Sequence, residues 1–212
     1  MEQYQTVQQD IASFMQRLYR QNLTTVSGGN ISCRCPDGNI AITSSGADKA
    51  VQSPEQVGIV TPAGENLTPQ LKLSIETGMH LSVYAARPDI SAIVHAHPVT
   101  ASFFSAAADC PLDMHITAEA YAVAGEVVFI PYALMGTPRL AELTAEKLQH
   151  YNCGLLENHG VITVGKSLLE AFDRMELLEC AAKQTLMAQM IPCRRLDAAK
   201  LMEIDRMTNR IK

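Results

Sequence analysis

Apolar positions between residues 6 and 21 fall at Val7, Ile11, Phe14, Met15 and Leu18. Spacings of three and four line one stripe of a helix, so an amphipathic helix packed on a sheet is expected. From Asn30 to Thr61 the period shortens. The β-like runs ISCRC, NIAIT and QVGIVT are divided by the turn signals PDG and SSGADKA, which predicts hairpins and an antiparallel sheet. Helical spacing returns in LTPQLKLSIETGMHLSVYAARP until Arg87-Pro88 breaks it, and SAIVHAH reads as a strand. Pro98 stands where a helix can begin, with VTASFFSAAA behind it.

Beyond residue 110 come DMHITAEAYAVAG, EVVFIPY, a helical GTPRLAELTAEKLQHY, and a hairpin in which HG joins CGLLEN to VITVG. Ser167 and Glu170 form an S-x-x-E capping box opening a long helix to about Met190, and DAAKLMEIDRMTN gives a last short one. Without a repeat, linker or low-complexity tract, residues 1–212 read as a single domain. The expected fold class is α/β in three layers (α-β-α), a mostly antiparallel central sheet flanked by helices.

A chain of 212 residues can bury about 70% of its unfolded surface, so a substantial core is expected. No apolar run approaches the ~20 residues that cross a bilayer. The N-terminus lacks a basic region, apolar core and cleavage site, and the protein reads as cytoplasmic with no membrane partner. A net charge of −5 and the lack of a basic run argue against nucleic acid, with Arg194-Arg195 read as a solvated doublet. The six cysteines are scattered without a CxxC pair and read as reduced thiols; Cys33 and Cys35 can share a strand face, but a zinc ribbon needs a second pair.

The chemistry begins at IVHAHP, residues 93 to 98. Side chains two apart on a strand point to one face about 6.6 Å apart, so His95 and His97 can converge on one ion. A catalytic zinc usually takes a third protein ligand. His159, at a hairpin tip in ENHGVI with Gly160 behind it, is the first choice. The blander reading makes His95 and His97 strand residues bonded to backbone carbonyls. His80, one turn after Glu76, reads as a packing or hydrogen-bonding residue, and His115 and His150 as structural.

A metal that polarises a carbonyl still needs a base, and Glu76 is the candidate. It lies among Leu71, Leu73, Ile75 and Met79, where burial is expected to raise its pKa; spacing alone more often marks a helix-capping acid than a base. Val26-Ser27-Gly28-Gly29-Asn30 and Ser44-Ser45-Gly46 are loops that an anion can approach closely, though most such loops are only turns. With Ser74 beside a helix N-terminus they can form a composite oxyanion pocket.

SGGNIS, ITSSG, a Glu nineteen positions before His-x-His-Pro, PYALMGT, and ENHGVITVG before a long helix occur here in one order. This ordered set, spanning nearly the whole chain, resembles the class II aldolase/adducin family, the branch that includes L-fuculose-phosphate aldolase. The resemblance implies zinc held by His95, His97 and His159, with Glu76 as acid/base able to approach the metal. It implies a phosphate site at Gly29, Asn30, Ser45, Gly46 and Ser74, and a homotetramer acting on a small phosphorylated sugar. The implied reaction is cleavage of L-fuculose 1-phosphate to dihydroxyacetone phosphate and L-lactaldehyde.

Two departures weaken the match to that one substrate. A second serine of the family's phosphate site is Ile75 here, and the tyrosine that protonates the aldehyde oxygen matches Ile116, while the tail IDRMTNRIK lacks another. Glu119, Tyr121 and Tyr132 are the candidate substitutes. Epimerase, dehydratase and decarboxylase branches of the fold therefore stay open, as does a non-catalytic adducin-like interaction module. A cupin-like oxygenase also uses His-x-His and a distant His, but an all-β barrel disagrees with at least four helical segments.

Overall fold

The computed structural model describes residues 2–107 and 109–210. Met1, Ala108, Ile211 and Lys212 of the expected domain lie outside them, so the end of the VTASFFSAAA run and of the tail is not covered. Seven strands form one sheet: β1 (Asn30–Arg34), β2 (Ile40–Thr43), β3 (Val57–Val60), β4 (Ala92–Ala96), β5 (Val127–Ile130), β6 (Cys153–Leu156) and β7 (Gly160–Gly165). Their order is β3-β2-β1-β4-β7-β6-β5. Five pairings are antiparallel, but β5 and β6 run parallel, so the sheet is mixed. A parallel pair needs a crossover connection, here supplied by helix α5 (Pro138–Lys147), which the sequence predicts without revealing the parallel pairing it allows.

Helices cover both faces, which is why every strand but β5 is buried at nearly all its positions rather than at alternate ones. Helices α1 (Gln5–Arg20), α3 (Val99–Phe104), α4 (Ala118–Ala124) and α6 (Leu168–Met190) pack on one core with Ile31, Val94, Ala96 and Val161. On the other face, α2 (Thr77–Ala86) and α5 enclose Ile42, Ile93, Ile162 and Val164. Helix α7 (Ala198–Met207) lies against α4. In α1, Ile11, Met15 and Leu18 are fully buried, as their spacing predicts. Among the described residues no helix is long and apolar enough to cross a membrane.

The helix predicted from Leu67 begins only at Thr77. The preceding segment is extended because its backbone is claimed by the sheet: Leu67 N donates to Ile59 O (2.8 Å), Ser45 N to Lys72 O (2.8 Å) and Ser74 N to Thr43 O (3.2 Å). Leu67, Leu71 and Leu73 imitate a helical spacing without forming a helix; Leu71 N closes only a single turn on Thr68 O (2.8 Å). Cys33 and Cys35 are buried free thiols in the core beneath α1, and burial pushes the Cys35 thiol up to about 11.

The capping box of α6 is half as predicted. Ser167 Oγ accepts from Glu170 N (3.2 Å), but the Glu170 carboxylate reaches back to Lys166 N rather than to Ser167. Ser167→Ala should cost about 1 kcal/mol of stability, read as a lower denaturant midpoint with an unchanged slope. Farther along α6, buried Glu179 takes hydrogen bonds from Thr100 N, Ala101 N and Thr100 Oγ1. It thereby fixes the start of α3, immediately behind His97-Pro98.

Candidate metal centre and its cleft

Odd positions of β4 face α2, so Ile93 enters that core and His95 follows it toward the start of the helix. His95 is fully buried, and its Nδ1–H donates to Val161 O (2.9 Å). That bond leaves Nε2 pointing inward, toward Glu76. His97 follows the strand, tied by its backbone N–H to Leu23 O (3.1 Å). Its Nε2 lies 3.2 Å from His95 Nε2. His159 arrives from the β6–β7 hairpin tip, where Asn158 takes a left-handed conformation (φ 52°).

The three imidazoles put their ligand nitrogens within 4.8 Å of one another. Gly160 makes this possible: a Cβ there would collide with the His97 ring and approach Ala96 O at 2.8 Å. Gly29, at φ 72°, lets the opposite loop press against His95 O, 2.8 Å from where its Cβ would stand.

Glu76 sits at the N-cap position of α2 without a capping hydrogen bond from its side chain, and is 5% exposed. Its Oε2 accepts from Asn30 Nδ2 (2.8 Å) and lies 3.2 Å from His95 Nε2; Oε1 lies 3.5 Å from His159 Nε2 and is buried without a hydrogen bond. Burial would push this carboxyl up, yet the His95 charge and hydrogen bond, then Asn30, hold it well below the usual carboxylate range. The expected rise is therefore reversed: the hydrophobic neighbours in sequence are not its neighbours in space. Burial lowers His95, but Glu76 outweighs it and raises the imidazole above its ordinary value. Burial, then the neighbouring His95, brings His97 down to about 3 and His159 to about 4, leaving both neutral.

This donor set fits a divalent first-row ion such as Zn2+. Neutral imidazoles are the ligating form, the His95 tautomer is fixed, and an unpartnered carboxylate oxygen faces the same point. Zn2+, or another divalent metal with the same taste for nitrogen, satisfies them together.

Behind Glu76 runs a buried chain of hydrogen bonds. A carboxylate only accepts, so Asn30 turns its NH2 to Glu76 and its Oδ1 to His80 Nε2 (2.5 Å). His80 therefore donates from Nε2 and accepts at Nδ1 from Ser32 Oγ (2.6 Å), beside Tyr84. Burial brings His80 down to about 3, so it is the neutral strut its position in the sequence suggests.

Glu76, His97 and His159 open onto a cleft of about 420 Å³, with His95 behind them. Gly29, Asn30, Ser45, Gly46 and Ser74 line the same cleft, so the structure gathers the expected metal, base and phosphate residues in one place. Asn30 differs in role, because both ends of its amide are committed to Glu76 and His80. Ser74 Oγ accepts from Glu76 N (3.3 Å), and Ile75 is exposed. A larger cleft of about 550 Å³ beyond Asn158 is walled by Phe104, Leu112 and Phe129 and lacks converging histidines. His115 pairs instead with Glu126 (2.8 Å). Tyr121 hydrogen-bonds Asp205 (3.2 Å), and neither it, Tyr132 nor Glu119 lines the metal cleft.

Sequence reasoning passed over Lys49, Met135 and Asn158, which also line the cleft. Asn158 had a signal, its place beside His159 at a hairpin tip; a single lysine inside SSGADKA carries no period or motif.

A family model described as class II aldolase and adducin N-terminal domain matches residues 9–186. The 3-oxo-tetronate 4-phosphate decarboxylase of Escherichia coli O6:H1 is 33% identical over 207 residues, covering 94% of this chain and 95% of that protein. The L-fuculose phosphate aldolase of Methanococcus maripaludis strain C7 is 36% identical over 163 residues, covering 76% and 86%. The crystal structure of YgbL from Escherichia coli superposes with a TM-score of 0.89 at 29% identity, covering 94% and 98%. With residues 9–186 matched by the family model and 94% of the chain aligned to a relative at 33% identity, the chain belongs to the class II aldolase and adducin family.

Proposed function

We propose that the protein is a metal-dependent lyase that acts on a small phosphorylated sugar derivative and breaks the bond between the carbon next to the carbonyl and the carbon beyond it. The observation that carries this reading is Glu76 Oε1, buried without a hydrogen bond and facing the histidine cluster at the cleft wall. Zn2+ or a similar ion held by His95, His97 and His159 would supply Lewis-acid polarisation of the substrate carbonyl. Asn30 anchors Oε2, which leaves Oε1 as the atom that exchanges a proton with the carbon where the bond breaks. Ser45, Gly46, Ser74 and the backbone at Gly29-Asn30 receive the phosphate end.

Two substrates of this class leave the same fragment. Loss of an aldehyde from L-fuculose 1-phosphate and loss of carbon dioxide from a 3-oxo-tetronate 4-phosphate both give the enediolate of dihydroxyacetone phosphate. Aldol cleavage additionally needs a group at the leaving aldehyde's oxygen. By the family resemblance Ile116 matches the aldolase tyrosine, and neither Tyr121 nor Tyr132 lines the cleft. That difference favours decarboxylation, with aldol cleavage as the second reading.

The test supplies zinc-loaded protein with each substrate and follows dihydroxyacetone phosphate together with carbon dioxide or aldehyde. Release from the tetronate phosphate alone supports decarboxylation, and release from the ketose phosphate alone reverses the choice. Release from neither, with zinc bound, overturns the lyase reading in favour of the dehydratase or epimerase branch. The homotetramer belongs to the same proposal; it is supported by Phe103, Phe129, Tyr132 and Leu134, all exposed, and light scattering checks it.

A further inference from the structure

Lys49 is 2% exposed and ranks among the largest fully buried side chains. It opens a 3-10 turn (Lys49–Val51) capped by Asp48, and its backbone N–H donates to Val26 O (3.0 Å). That bond ties the SSGADKA loop to the glycine loop across the cleft. Its Nζ lies 3.3 Å from Ser44 O and 3.4 Å from Gln52 Oε1, both neutral. Charge-assisted bonds are usually about 2.7–2.9 Å, so these are loose. Among the described residues it forms no ion pair, and burial, with nothing to offset it, brings its ammonium down to about 8, still mostly charged at neutral pH.

A buried ammonium without an acidic partner is costly. This one lines the same cleft as Ser44, Ser45, Gly46 and Ser74, and among the described residues no other Lys or Arg lines it. A small-molecule phosphate carries about −1.5 to −2 charges at pH 7. We propose that Lys49 is the cation that pairs with the substrate's phosphate, so recognition rests on a buried charge as well as on hydroxyls and backbone amides. This rests on the reading above that the cleft takes a phosphorylated sugar derivative. The competing role is a post that only bridges Ser44 and Gln52.

The experiment titrates glycerol 3-phosphate, with glycerol as control, into metal-loaded wild-type protein and into Lys49→Met, which keeps the length of the stem. Wild type should bind glycerol 3-phosphate and not glycerol. Lys49→Met should weaken that binding by about 10- to 100-fold, with metal content unchanged and a melting temperature without ligand that is equal or higher. Wild-type affinity in Lys49→Met overturns the assignment and leaves the bridging post. If wild type itself fails to bind glycerol 3-phosphate while loaded with metal, the phosphorylated-substrate reading falls, and Lys49 with it. Should Lys49→Met not fold, Lys49→Gln is titrated against the same two outcomes.

Discussion

Glu76→Gln should lower kcat by about 10²- to 10⁴-fold, the usual contribution of a positioned acid/base, while metal content and KM stay near wild type. The substitution keeps the shape of the side chain. A glutamine oxygen can still accept from Asn30 Nδ2, and its NH2 takes the place of Oε1, which bonds to nothing. Folding should therefore be preserved. What disappears is the proton acceptor and the negative charge that raises His95. Steady-state kinetics with zinc analysis on the same samples checks the split. A wild-type kcat would remove Glu76 from the chemistry and leave it as the helix cap that its position also allows.

His95→Ala should strip the metal and abolish activity. Two imidazoles then remain where a catalytic zinc usually has three protein ligands, so the variant should lose zinc to a chelator that leaves wild type loaded. The loss is also structural. His95 is wholly buried, and without its Nδ1–H the carbonyl of Val161 is left in the interior without that donor. An unsatisfied buried acceptor costs about 1–3 kcal/mol, so a lower denaturant midpoint should accompany the metal loss. Glu76 loses its largest favourable charge, and its pKa should move up. Retained stoichiometric zinc in His95→Ala would place the metal elsewhere.

Much of this centre was legible because it is written in short periods. A two-residue repeat at His95 and His97 and a hairpin tip at His159 translate directly into direction and place. The three-and-four spacing of α1 was equally plain, since Ile11, Met15 and Leu18 had only one face to bury. Residues 67–76 misled because backbone pairing with β2 and β3 overrides local spacing, and sequence does not reveal which segment a strand edge will claim. The pKa of Glu76 was misjudged for a related reason: Ile75 is exposed, and the groups that control Glu76 are His95 and Asn30, distant along the chain. The link from Asn30 to His80 spans fifty positions and has no local signature.

The pairing of β4 with β7 also bears on when the centre can exist. His95 sits opposite Ile162, and His159 precedes β7, so the three histidines meet only after a long loop has closed. Loop closure of that kind is slow and comes before the contacts that reward it. An ion bound by all three histidines is then a late arrival that cannot speed the search. Its contribution falls on the escape rate: it should lengthen the lifetime of the folded chain far more than it shortens the time needed to reach it.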